Sequence, residues 1–137
     1  IPLDTVVSVE RETFPQLVRN GAKIYGYLEN AYWLDIGTPK ALLKASTDIV
    51  LRTGPGLAMP GSIIDPSAQL TGGSCVGRGA SVGAGAHIDG SIIEAGAVIG
   101  SHAIITNSFV ATGSVVDKEA KIASSFVTKG EILPIPQ

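Results

Sequence analysis

Residues 88–104 read IDGSIIEAGAVIGSHAI, residues 105–121 read ITNSFVATGSVVDKEAK, and residues 122–137 read IASSFVTKGEILPIPQ. Set one above another they share a 17-residue period, in which Ser91, Ser108 and Ser125 coincide, as do Gly96, Gly113 and Gly130. Aliphatic residues recur at spacings of five and six, in the series Ile64, Leu70, Val76, Val82, Ile88, Ile93, Ile99, Ile105, Val110, Val116, Ile122, Val127 and Leu133. A helix would want apolar positions 3.6 apart and would lose about 1 kcal/mol at each interior glycine. A sandwich of hairpins would want longer alternating strands and more aromatic residues. Strands of three or four residues, each followed by a tight corner, fit the spacing. Three such strands make one turn of a prism, 17 or 18 residues round. Each turn rests on the last at about 4.8 Å, and the aliphatic series points inward. Gly77, Gly79, Gly83 and Gly85 fall inside this series, so they are read as corners and not as a phosphate-binding loop.

Outward from the repeat the building material changes. Residues 1–53 hold five of the seven aromatic residues (Phe14, Tyr25, Tyr27, Tyr32 and Trp33) and only three of the 17 glycines. Residues 10–20 read as a short helix with Ser8 as cap and Gly21 as stop, between strand-like segments at 6–9, 24–28 and 31–35. Thr38 and Pro39 open a second helix that ends near Arg52, with Leu42, Ala45, Ile49 and Val50 as its apolar stripe. The Gly- and Pro-rich stretch 54–62 reads as a linker, and 63–137 as the repeat, with about four coils. Pro134 and Pro136 cannot donate to a further rung, so they are expected to help close an open edge.

The formal net charge of −2 gives no reason to expect nucleic acid as a partner. No apolar run approaches the roughly 20 residues of a membrane span, and no leader pattern opens the chain, so a soluble, cytoplasmic protein is expected. Cys75 is the only cysteine, which excludes an internal disulfide and a cysteine-based zinc site. It is read as a small core or corner residue. The first residue is Ile1 and not Met, in keeping with a piece of something longer.

Residues 61–135 resemble the hexapeptide-repeat, left-handed β-helix family, and left-handed coiling is what that resemblance implies. The segment Trp33-Leu34-Asp35-Ile36-Gly37-Thr38-Pro39, with Ser8 to Pro15 and Tyr25-Gly26-Tyr27, resembles the closing part of the sugar-1-phosphate nucleotidyltransferase domain. Within that family it looks most like the bacterial mannose-1-phosphate guanylyltransferases, which carry a Rossmann-like catalytic domain followed by a left-handed β-helix. The implied fold class is mainly β, a left-handed parallel β-helix (63–137) after an α/β fragment of the catalytic domain (1–53). The implied reaction joins a nucleoside triphosphate, GTP by likeness, to a sugar-1-phosphate, with release of pyrophosphate. It depends on Mg²⁺ held by carboxylates. Asp35 matches one of the family's two metal-binding carboxylates. The other metal ligand, the nucleotide loop and the sugar-contacting pair have no counterpart here, so the fragment is expected to be inactive alone.

Two other readings of the same residues remain. A hexapeptide-repeat acyltransferase using acetyl-coenzyme A would need a histidine base, for which His87 and His102 are the candidates. A non-catalytic assembly or regulatory module would use the prism's flat faces to build a homo-oligomer, and within the implied enzyme the β-helix is likewise expected to serve assembly or regulation. Phe109 and Phe126 stand one coil apart: stacked inside the prism or bordering it they would pack, and facing outward they would form an interface stripe. Trp33, Tyr25 and Tyr27 are expected to pack as strands on helices, with a sugar pocket as the alternative role.

Overall fold

The computed structural model describes residues 1–136. It divides into one compact unit over Ile1–Trp33 and a second from Leu34 onward. In the first, Ser8 Oγ accepts the Arg11 N–H at 3.1 Å and opens a π-helical turn, Val9–Thr13, that runs into α1 (Phe14–Arg19). The helix ends as its sequence dictates. Gly21 takes φ +68°, the Ala22 N–H reaches Leu17 O at 3.0 Å, and the Gly21 N–H reaches Val18 O at 3.1 Å. These two bonds satisfy carbonyls that a helix end otherwise leaves bare. The strands expected at 6–9, 24–28 and 31–35 do not form among the described residues. A strand needs an edge to pair with, and β-favouring side chains such as Tyr25, Tyr27 and Trp33 supply none; all three are exposed.

The second unit begins with α2 (Pro39–Leu51), where Thr38 Oγ1 accepts the Ala41 N–H at 3.2 Å and Pro39 takes the first helical position. Its buried face is Leu43, Thr47 and Val50. Leu42 and Ile49, expected in the stripe, are 44% and 59% exposed. The two faces differ by one residue, or about 100° of rotation, and tertiary packing selects the second.

Then come the coils. The first comprises β1 (Gly56–Ala58), β2 (Ile63–Ile64) and β3 (Gln69–Thr71), and the second β4 (Ser74–Val76), β5 (Ser81–Val82) and β6 (His87–Asp89). The third comprises β7 (Ile92–Ile93), β8 (Val98–Ile99) and β9 (Ile104–Thr106), and the fourth β10 (Phe109–Val110), β11 (Val115–Val116) and β12 (Lys121–Ala123). β13 (Ser125–Val127) and β14 (Ile132–Pro134) close the chain. Strands pair in parallel with those three places on, and β14 pairs antiparallel with β13, giving a first sheet β1-β4-β7-β10-β13-β14, a second β2-β5-β8-β11 and a third β3-β6-β9-β12. This is a parallel β-solenoid of four turns, in accord with the left-handed β-helix that the repeat resembles. β1 lies inside 54–62, so rung formation starts within the stretch whose composition marks a linker.

Inside the prism the aliphatic series stacks into three columns: Val76, Ile93, Val110, Val127; Ile64, Val82, Ile99, Val116; and Leu70, Ile88, Ile105, Ile122. Leu133, the last of the series, departs from it. The chain turns through Gly130, and β14 runs back antiparallel on β13, leaving Leu133 48% exposed. The reversal gives β13 an edge partner, and Pro134, which has no N–H to offer a further strand, lies on β14 opposite Ser125.

One corner explains the five-residue spacings. Ser74, Ser91 and Ser108 are fully buried there, and each hydroxyl takes the place of a backbone carbonyl in the rung contact. Ser74 Oγ accepts the Ser91 N–H at 3.1 Å, Ser91 Oγ the Ser108 N–H at 3.0 Å, and Ser108 Oγ the Ser125 N–H at 3.0 Å. Each hydroxyl proton goes to a carbonyl of the same corner: Thr71 O, Asp89 O and Thr106 O. The first coil has one extra residue here, Gly73 at φ +78°, where a Cβ would collide with Thr47 O on α2. Only glycine fits that contact.

Ser91→Ala strands the buried Ser108 N–H and is expected to lower stability by about 1–3 kcal/mol in urea unfolding. Ser114 behaves oppositely. It occupies the position held by Ala80 and Ala97 in earlier coils, and its buried hydroxyl has no partner among the described residues. Ser114→Ala should therefore raise stability by about 1 kcal/mol in the same assay.

Candidate functional site

Asp35 lies in the turn that leads into α2 and is exposed. Its Oδ1 accepts the Gly37 N–H at 3.0 Å, which folds the carboxylate back over its own backbone and brings Thr38 to the helix start. A Cβ on Gly37 would lie 3.2 Å from that same oxygen, tighter than an ordinary contact. Local hydrogen bonding thus holds the carboxylate against the turn. Mg²⁺ takes hard oxygen donors and is commonly held by one or two carboxylates together with water and phosphate oxygens. Asp35 suits such an ion as one ligand. Among the described residues no group of three or more His, Cys, Asp or Glu side chains converges.

Beside this turn, α2, the corners at Gly90, Asn107 and Ser124, and the last segment of the chain border an open cavity of about 550 Å³. Leu34, Thr38, Lys40 and Lys44 line one side, with Asn107 and Ile135 among the residues opposite. Lys44 Nζ lies 2.7 Å from Asp48 Oδ2, an i,i+4 pair on the helix surface. Asp35 does not line the cavity. Sequence reading missed this feature. The Lys40 and Lys44 spacing was legible as one helix face, but no sequence signal placed Asn107 and Ile135 across from it.

The remaining candidates are dispersed. His87 stands on β6 with its Nδ1 3.2 Å from Gln69 Oε1, the equivalent position one coil earlier. His102 is an exposed corner residue at φ +59°, its ring beside Gly85. Neither lines the cavity beside α2. Phe109 and Phe126 point outward from the first sheet, yet Phe109 is buried and Phe126 half-buried, their ring centroids 5.8 Å apart. Leu43 of α2 and Ile135 cover them. Outward and packed are therefore both true. Cys75 belongs to the same outward column, between Leu57 and Ile92. No described helix is long and apolar enough to cross a membrane.

Residues 52–132 match the family model described as the GMPPB C-terminal domain. A mannose-1-phosphate guanylyltransferase of Mycobacterium tuberculosis is 42% identical over 103 residues, covering 67% of this chain and 29% of the relative. Mannose-1-phosphate guanyltransferases of Neurospora crassa and Pichia angusta are 33% and 35% identical over 75 residues, each covering 46% of this chain and 20% of the relative. The chain thus spans less than a third of the length of the curated relatives it matches.

Burial raises the Cys75 thiol above its ordinary value. The neutral thiol is favoured by folding, so the associated stability is present below the unfolded-state value and is lost as pH rises through the folded one. Iodoacetamide should alkylate native Cys75 several-fold more slowly than the urea-unfolded chain at pH 8.5, with a rate midpoint at higher pH in the native protein. Mass spectrometry of timed samples reads both.

Proposed function

This chain belongs to the GMPPB C-terminal domain family, and on that basis we propose that it is the C-terminal part of a Mg²⁺-dependent nucleotidyltransferase that makes a nucleotide-sugar from a nucleoside triphosphate and a sugar-1-phosphate. GTP and mannose-1-phosphate are the substrates in best accord with the relatives. The observation that carries this reading is the 42% identity to the mycobacterial guanylyltransferase, over a stretch longer than the matched domain itself.

Within that enzyme the chain supplies two things. The first is Asp35, whose carboxylate would be one ligand of the Mg²⁺ ion. When bound, the ion neutralises charge on the phosphates during transfer. The Gly37 N–H fixes the carboxylate's rotamer before any ligand arrives, and the Thr38 cap anchors the turn to α2. Such pre-organisation spares reorganisation at the moment of reaction. The second contribution is the solenoid, which serves assembly. Its second sheet carries an outward column of Ile63, Ser81, Val98 and Val115, and the three aliphatic members are exposed. This face suits a homo-oligomer, whereas the corresponding face of the first sheet is already covered by α2.

In the intact protein, GTP and mannose-1-phosphate with Mg²⁺ should release pyrophosphate. Asp35→Asn should lower kcat roughly 10²–10³-fold without moving the thermal unfolding midpoint of the 137-residue chain. That chain alone should show no turnover. Full activity of Asp35→Asn, or pyrophosphate release by the isolated chain, would refute the reading.

A further inference from the structure

α2 has 13 residues but buries only three of them: Leu43, Thr47 and Val50. Its attachment is therefore concentrated at few points. Thr47 lies against the Gly73 corner, in the region where α2 packs on β4. Leu43, one turn nearer the N-terminus, shares a separate buried cluster with Phe109 and Ile135, against which Ile92 and Phe126 pack. Ile135 comes from the far end of the chain. β14 delivers it by pairing antiparallel with β13, and the Ile135 N–H then donates to Ser124 O at 2.8 Å.

The burial pattern of this last segment is selective. Ile132, Leu133 and Pro134 are exposed, whereas Ile135 is only 7% exposed. A strand that served only to blunt a sheet edge would have no need of such an anchor. Pro134 and Pro136 on either side fix φ and limit the ways in which the anchor can leave its place. The cavity lined by Thr38, Lys40 and Lys44 is bounded by the same Ile135, so one side chain touches both the helix anchor and the space beside the Asp35 turn.

We propose that β14 and Ile135 form a clasp that pins the N-terminal half of α2 to the first sheet and so sets the position of the Asp35–Thr38 turn from which the helix starts. Ile135 is a positioning residue: it acts through Leu43 and α2, not on substrate. The consequence for catalysis rests on the function proposed above, whereas the clasp itself does not.

Amide hydrogen exchange on this chain tests the clasp directly. In Ile135→Ala the α2 amides should exchange about tenfold faster, and the Gly37 amide should shift in the ¹H–¹⁵N spectrum. The amides of Ile88, Ile99 and Ile105 should keep their protection, and Ile135→Val should restore most of that of α2. Unchanged α2 exchange, or an equal loss throughout the coils, would overturn the proposal. In the intact protein Ile135→Ala should lower kcat several-fold at unchanged KM for both substrates; loosened α2 with unaltered turnover would break the link to the Asp35 turn. An intact wild-type protein that releases no pyrophosphate would defeat the function while leaving the exchange result to decide the clasp.

Discussion

Parallel pairing between successive coils is the constraint from which the rest of this structure follows. Once β4 lies on β1 in register, every inward side chain must sit on the one 17 or 18 residues before it, and the three aliphatic columns are obligatory. A one-residue slip would turn Ile88 or Ile99 outward and bring outward-facing neighbours such as His87 or Val98 inward. The register is held at the corners as well as in the strands. At the serine corner, hydroxyls span the rung where the backbone is one residue short, so the ladder of hydrogen bonds remains complete. Ser114, the one buried hydroxyl without a partner among the described residues, lies in a column whose earlier members are alanine.

The same register dictates what each outer face can do. Outward residues also stack, so a choice at one rung is repeated along the whole face. The first sheet carries Cys75, Ile92, Phe109 and Phe126 in line, the second carries Ile63, Ser81, Val98 and Val115, and the third carries Gln69, His87, Ile104 and Lys121. An aromatic and aliphatic face of this kind is costly in water, and α2 and Ile135 cover it. The aliphatic second face remains exposed and the third is largely polar. Three faces of one prism thus differ in character: one supports the helix, one is aliphatic and exposed, and one is largely polar.

Support for the helix is where fold meets chemistry. α2 starts from the Asp35 turn, ends beside the Gly73 corner, and belongs to the same compact unit as the coils. The metal-binding carboxylate implied by the family resemblance is therefore attached to the solenoid through a helix whose seat the solenoid builds. Asp35 was legible only as a candidate, because the Trp33 to Pro39 segment is distinctive. The cavity beside it was not, because its walls come from Lys40, Asn107 and Ile135, whose nearness arises only when coils stack and the chain end returns.

Much of this protein is determined by its sequence alone. The spacing of five and six dictates the prism, its inward columns from Ile64 to Val127 and the number of coils. Ser8, Gly21, Thr38 and Pro39 dictate where helices start and stop, since caps act through bonds to residues two to four positions away. Tertiary structure alone decided the rest. It chose Leu43, Thr47 and Val50 over Leu42 and Ile49 as the buried face of α2, because a helix with two usable apolar faces buries the one its neighbour can receive. It left Tyr25 and Tyr27 without strands, because β-structure requires a partner that propensity cannot supply. It turned Leu133 out of the core and Ile135 into a cluster outside it, because the direction of a chain after its last coil depends on the edge available to pair with.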